Sequence, residues 1–162
     1  MHQPKNNYLI WSGIAAATGG LFHVAAIFGG PAWYRMIGAT KPIIQMVERG
    51  HSYPIFVALV AATILFACAS YAFSGAGLIP RLPLLRTGLV SIAIGLLIHG
   101  LAFIPAVVLW PQEMLIVYDG DGFDIPLIVI NLLCVAVGIG YALGTRAAWL
   151  QLSAKKAQLK LA

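Results

Sequence analysis

The sequence predicts an all-α integral membrane protein built as a bundle of four transmembrane helices. Two observations carry this. First, 60% of the 162 residues are hydrophobic and only 9% are charged, against about 25% charged in soluble domains, and the mean hydropathy is +0.90. Second, apolar runs at about 8–29, 54–74, 86–110 and 125–146 each reach the roughly 20 residues that a helix needs to cross a hydrocarbon core about 30 Å thick. No other stretch qualifies, so the chain reads as a single domain.

The first run is preceded by Lys5 and contains Ala15-Ala16-Ala17, which has the outline of a signal peptide. It continues to about Phe28, long enough to span, and is expected to remain as the first transmembrane helix. It ends at Gly29-Gly30-Pro31. The loop that follows, 30–53, is amphipathic. Trp33, Ile37, Ile44 and Val47 fall on one side of short helices broken near Pro42, with Arg35, Lys41, Glu48 and Arg49 on the other. This is the pattern of interfacial helices, with Trp33, Tyr34 and Tyr53 at headgroup level. The segment is expected to act as a lid over the bundle mouth, or as an anchor that fixes depth and tilt.

Between the second and third runs, SGAGLIPRLPLLR is a tight turn. PQEMLIVYDGDGFD, before the fourth run, is acidic, and KKAQLKLA closes the chain as a basic tail, within 147–162. Lys5, Arg81, Arg86, Arg146, Lys155, Lys156 and Lys160 fall on the side of the N-terminus, against Arg35, Lys41 and Arg49 on the other. The positive-inside rule therefore predicts an N-in/C-in topology with 30–53 as an outer loop. The net charge of +5 sits at helix ends without a basic patch interleaved with aromatics, so no nucleic-acid partner is expected. Membrane lipids are. Cys68 and Cys134 lie in separate apolar runs with no CxxC, and read as small buried hydrophobes.

GGPAWYRMIGA, ERGHSYP and SGAGLIPRLPLLR, in this order across four spans, resemble an uncharacterised family of small bacterial four-helix inner-membrane proteins. The resemblance implies a bacterial cytoplasmic membrane and a multi-pass helical fold. It implies no catalytic residue.

Three constellations are candidates for chemistry. His23 and His99 lie within spans, where ionisable residues are costly and normally face the bundle interior. Each sits on a stripe of small residues: Gly13, Ala16, Gly20, His23 on the first helix and Gly88, Ser91, Gly95, His99, Ala102 on the third. His23 is about 9 Å, and His99 roughly 15–17 Å, from the outer end of its helix. One reading is a bis-histidine haem b, or another metal, held between them. The other is two neutral imidazoles hydrogen-bonded within the bundle, with Asn131 at a depth to partner His23 and Thr63 a further polar group. A proton relay would want a buried carboxylate, and no span contains one.

Asp119, Asp121 and Asp124 around Gly120 and Gly122 resemble part of a calcium loop. The twelfth position from Asp119 is Ile130 rather than Glu, which excludes an EF-hand. A weaker divalent-metal site, or a solvated turn in which Asp124 caps the fourth helix, remains. Finally, Arg35, Glu48, Arg49 and His51 form an outer polar cluster suited to acid–base or phosphate chemistry, or to salt bridging between loops. No nucleophile elbow, HExxH, P-loop or paired-cysteine motif accompanies it.

The resulting expectation is a small non-enzymatic membrane protein. It either binds a lipid-like or hydrophobic ligand through Trp33, Tyr34, Arg35, Glu48, His51 and Asn131, or docks as an accessory subunit on a larger membrane complex or as a homo-oligomer. The alternatives are a haem b electron carrier using His23 and His99, and a small membrane enzyme using the outer cluster. An exposed small-residue face would favour docking, and an apolar cavity under Trp33 and Tyr34 would favour a ligand binder.

Overall fold

The computed structural model describes residues 6–110, 117 and 125–158. They form six helices: α1 (Asn7–Gly29), α2 (Pro31–Met36), α3 (Lys41–Glu48), α4 (Tyr53–Gly75), α5 (Leu85–Leu109) and α6 (Ile125–Gln158). Among the described residues there is no strand. The stretches long and apolar enough to cross a membrane are Asn7–Gly29, Tyr53–Gly75, Leu85–Ala106 and Ile125–Trp149. These are the four runs of the sequence, each within a few residues. The exception is the end of α6, which runs to Gln158 where a tail was expected from 147. Ala147 to Ala157 contains neither Gly nor Pro and is rich in Ala, Leu and Lys, so nothing in the covalent chain stops the helix.

α1 packs mainly on α4, and α5 mainly on α6, with α1 against α6 joining the two pairs. Small residues make these approaches, as expected where lipid supplies no hydrophobic drive between helices. A Cβ at Gly13 would lie 2.7 Å from the Phe73 ring, and one at Gly20 would lie 2.9 Å from the Phe66 ring. Across α5 and α6, a Cβ at Gly100 would meet the Asn131 carbonyl oxygen at 2.7 Å and the Val135 amide nitrogen at 3.0 Å. Gly144 faces Leu9 and Gly140 faces Ser12, which closes α1 onto α6.

The two ends of the bundle differ. At the end nearest the α4–α5 turn, Leu9, Ala72, Leu85, Leu89 and Tyr141 form the core. There the Tyr141 hydroxyl donates to the Cys68 carbonyl at 2.8 Å. The Asn6 side-chain amide donates to the Gly144 carbonyl at 2.7 Å, tying the start of α1 to α6. The turn is stapled by Ser74, whose hydroxyl donates to the Pro80 carbonyl at 3.0 Å and accepts from the Leu82 amide at 2.9 Å.

The opposite end is closed by α2 and α3, which form a cap. Their buried residues are Tyr34 and Ile44, packed with Ala26 of α1 and Ala58 of α4. The backbone enters, crosses and leaves the cap through Gly30, Gly38 and Gly50, all at positive φ of 70–75°, a region that glycine adopts without the penalty of a side chain. Near Gly38 the cap also reaches Ile130 and Leu127 of α6.

Candidate functional site

The two predicted small-residue stripes meet different fates. On α1, Gly13, Ala16 and Gly20 are buried as expected, with His23 half-buried at their end. On α5, by contrast, the buried line is Leu85, Leu89, Ala93 and Gly100. His99 is one residue from Gly100, and so about 100° round the helix from the α6 contact. His99 is exposed, as are Ser91, Gly95 and Ala102 on the same stripe. A Cβ built on Gly95 would have nothing within 4 Å. Only Gly88, close to the turn, uses the stripe for internal packing, against Tyr71 of α4. The physical reason lies in the partner. α6 presents its own small residues, with Gly138 against Leu96 and Leu97, so α5 is held through its leucines and Gly100. Its Ser91–Ala102 face is left free of protein.

His23 and His99 are therefore in unlike settings. The His23 Nδ1 lies 2.8 Å from the Gly19 carbonyl. A carbonyl only accepts, so Nδ1 carries the proton and Nε2 keeps its lone pair. His99 has no hydrogen-bond partner among the described residues. No Cα of α1 comes within 8 Å of α5 in that set. A haem held by both imidazoles would have to lie between two helices that do not pack on one another, one of which turns its histidine outward. Asn131 is buried and donates to the Leu127 carbonyl of its own helix at 2.8 Å. Among the described residues neither His23 nor Asn131 bonds the other. Thr63 is exposed and bonds the Leu59 carbonyl at 2.8 Å.

The cap brings together part of the outer cluster. The Arg35 Nη2 lies 3.3 Å from the Glu48 Oε1, linking α2 to α3, with each side chain about half exposed at 49%. Arg49 and His51 are exposed on the far side of α3. Trp33 tilts against Phe22, with ring centroids 6.4 Å apart. Tyr34 departs from its expected place at headgroup level: it turns inward and is only 3% exposed. Successive helical residues point about 100° apart, so with Trp33 held on the α1 flank, Tyr34 enters the groove between α1 and α4. Its hydroxyl is fully buried with no hydrogen-bond partner among the described residues. Burial also pushes its pKa above the usual phenol value.

Asp119, Asp121 and Asp124 lie outside the described residues. Within the described residues, no three His, Cys, Asp or Glu side chains gather to hold a metal ion. Cys68 and Cys134 are free thiols, partly buried on separate helices.

The class this arrangement defines is a multi-pass helical membrane protein with a capped bundle and an uncovered small-residue face on α5. Comparison with protein-family models, with curated proteins and with solved structures gives no match. The features missed in the sequence were the rotation of α5 and the inward turn of Tyr34. Both are set by the neighbouring helix rather than by spacing along the chain. The glycine stops of the cap were visible, since Gly50 follows the last periodic residues of α3 as a helix-ending glycine does.

Proposed function

We propose that this protein works as a helix-docking subunit of a membrane assembly and presents the Ser91–Gly95–His99–Ala102 face of α5 to a transmembrane helix of another protein or of a second copy. The observation that carries this reading is the exposure of that face. Gly95 has open space before it, which lets a neighbouring backbone come close. His99 stands beside it within the span. An imidazole facing hydrocarbon without a partner is costly, and polar side chains in spans usually bond across helices. A partner helix would satisfy the imidazole and fill the groove at once.

The role is non-enzymatic on this reading. The Lys and Arg distribution supports an N-in/C-in orientation, with the cap on the outer side, and the resemblance noted above points to a bacterial cytoplasmic membrane.

The test is blue-native electrophoresis of the tagged chain from gently solubilised native membranes. The wild type migrates as an assembly. Gly95→Leu, which fills the face without touching the fold, migrates as a monomer. Ala136→Leu, a similar change at an exposed position of α6, leaves the assembly intact. An assembly that survives Gly95→Leu overturns the proposal.

A further inference from the structure

We infer that the cap holds a binding site for a neutral lipid carbonyl, with the Tyr34 hydroxyl as its hydrogen-bond donor. The inference is independent of the α5 face and begins from a chemical imbalance. Tyr34 is 3% exposed and its hydroxyl is buried without a hydrogen-bond partner among the described residues. Buried tyrosine hydroxyls normally find one. The residues packed round the ring are Ala26, Ile44 and Ala58, with no polar group in their side chains. The structure thus buries a donor in an apolar box at the level where the long helix α1 ends, which in the four-span reading is the level of the headgroup–acyl boundary.

The box selects the chemistry of the acceptor. A phosphate or carboxylate there would need a counter-ion. The nearest cation in sequence, Arg35, is already paired with Glu48 at 3.3 Å, and a buried unpaired charge is far more costly than a neutral polar group. An ester or ketone carbonyl needs one donor and no counter-charge. Its hydrocarbon chain has a path, because Trp33 tilts over Phe22 on the exposed flank of α1. A chain lying on Phe22 brings its carbonyl end to α2.

Access comes from the way the cap is attached. Gly30 and Gly50 join it to α1 and α4 at φ of 70° and 72°, and a Cβ at either would meet nothing within 4 Å. The two connections can therefore turn without collision. The ion pair that binds α2 to α3 joins helices within the cap, so it moves with the cap and does not latch it to the bundle.

The experiment uses the full-length protein and Tyr34→Phe, which deletes the hydroxyl alone. Two probes carry a ¹³C carbonyl: methyl oleate added in detergent, and dioleoylphosphatidylcholine in nanodiscs. Isotope-edited infrared spectra should show a hydrogen-bonded carbonyl band at lower frequency with the wild type and lose it with Tyr34→Phe. The apparent affinity for methyl oleate should fall about fivefold to tenfold, the effect of one neutral hydrogen bond. A band seen with methyl oleate identifies a free fatty-ester-like ligand. A band seen only in nanodiscs identifies the ester of a bilayer lipid. Either supports the inference. Should Tyr34→Phe fail to fold, the ¹³Cζ resonance of Tyr34 in the wild type gives the same answer, moving on addition of probe. Carbonyl bands identical in wild type and Tyr34→Phe with both probes, or a Tyr34 resonance indifferent to both, overturn it: the hydroxyl then meets water alone.

Discussion

Two glycines on one helix, five residues apart, should respond in opposite directions to the same substitution. At Gly100 an added methyl would sit 2.7 Å from the Asn131 carbonyl oxygen and 3.0 Å from the Val135 nitrogen. Both are backbone atoms and cannot rotate away, so α5 and α6 must part by about half an ångström or more. Overpacking of this kind costs about 1–3 kcal/mol, offset by about 1 kcal/mol of helix propensity for Ala over Gly. Gly100→Ala should therefore lose about 1–2 kcal/mol. At Gly95 the methyl enters open space, and only the propensity gain remains, about 0.5–1 kcal/mol. The two variants should differ by roughly 2–3 kcal/mol, or about 4–12 °C in Tm at about 2–4 °C per kcal/mol. Thermal unfolding of the detergent-solubilised monomer measures this. Equal stability of the two, or a larger loss at Gly95, would mean that α5 presents a different face to α6.

Other expectations follow from single contacts. Tyr141→Phe removes the bond to the Cys68 carbonyl from a fully buried ring and should cost about 1–2 kcal/mol in the same unfolding assay. Ser74→Ala leaves the Leu82 amide of the α4–α5 turn without its acceptor and should cost about 1–3 kcal/mol, read against the near-neutral exposed control Thr87→Ala. Tyr34 gives a pH signature. Its pKa is raised on folding, so its contribution is complete below the unfolded value of about 10 and is lost as pH rises through the folded one. The wild type should lose stability above about pH 10 more steeply than Tyr34→Phe. With His99 turned outward and α1 and α5 apart, the purified protein should show no Soret band shared by His23 and His99. A band that shifts on reduction and is lost in both His23→Ala and His99→Ala would contradict this.

The spans were legible because lipid imposes a length and a composition that few soluble segments share. The cap was legible because Gly30, Pro31, Pro42 and Gly50 punctuate it. The α1 stripe was also read correctly, since Gly13, Ala16 and Gly20 had a neighbour in α4 to receive them. The α5 stripe looked the same in sequence and is not used in the same way. Spacing says which residues share a face, but not which face the next helix takes. That depends on α6 offering Gly138 to Leu96 and Leu97, a fit that exists only in three dimensions. The same holds for Tyr34, which is as amphipathic as Trp33 but is rotated into the groove while Trp33 rests on Phe22. The outer cluster was half right: Arg35 and Glu48 meet, while Arg49 and His51 stay at the surface.

The docking role of α5 is tested most directly by a photoactivatable phenylalanine analogue placed at position 99 in intact native membranes. The account predicts a discrete cross-linked adduct that disappears when Gly95→Leu is added on the same chain, and no adduct from the same probe at Ala136. A probe at 99 that captures only lipid, or an adduct indifferent to Gly95→Leu, would contradict it.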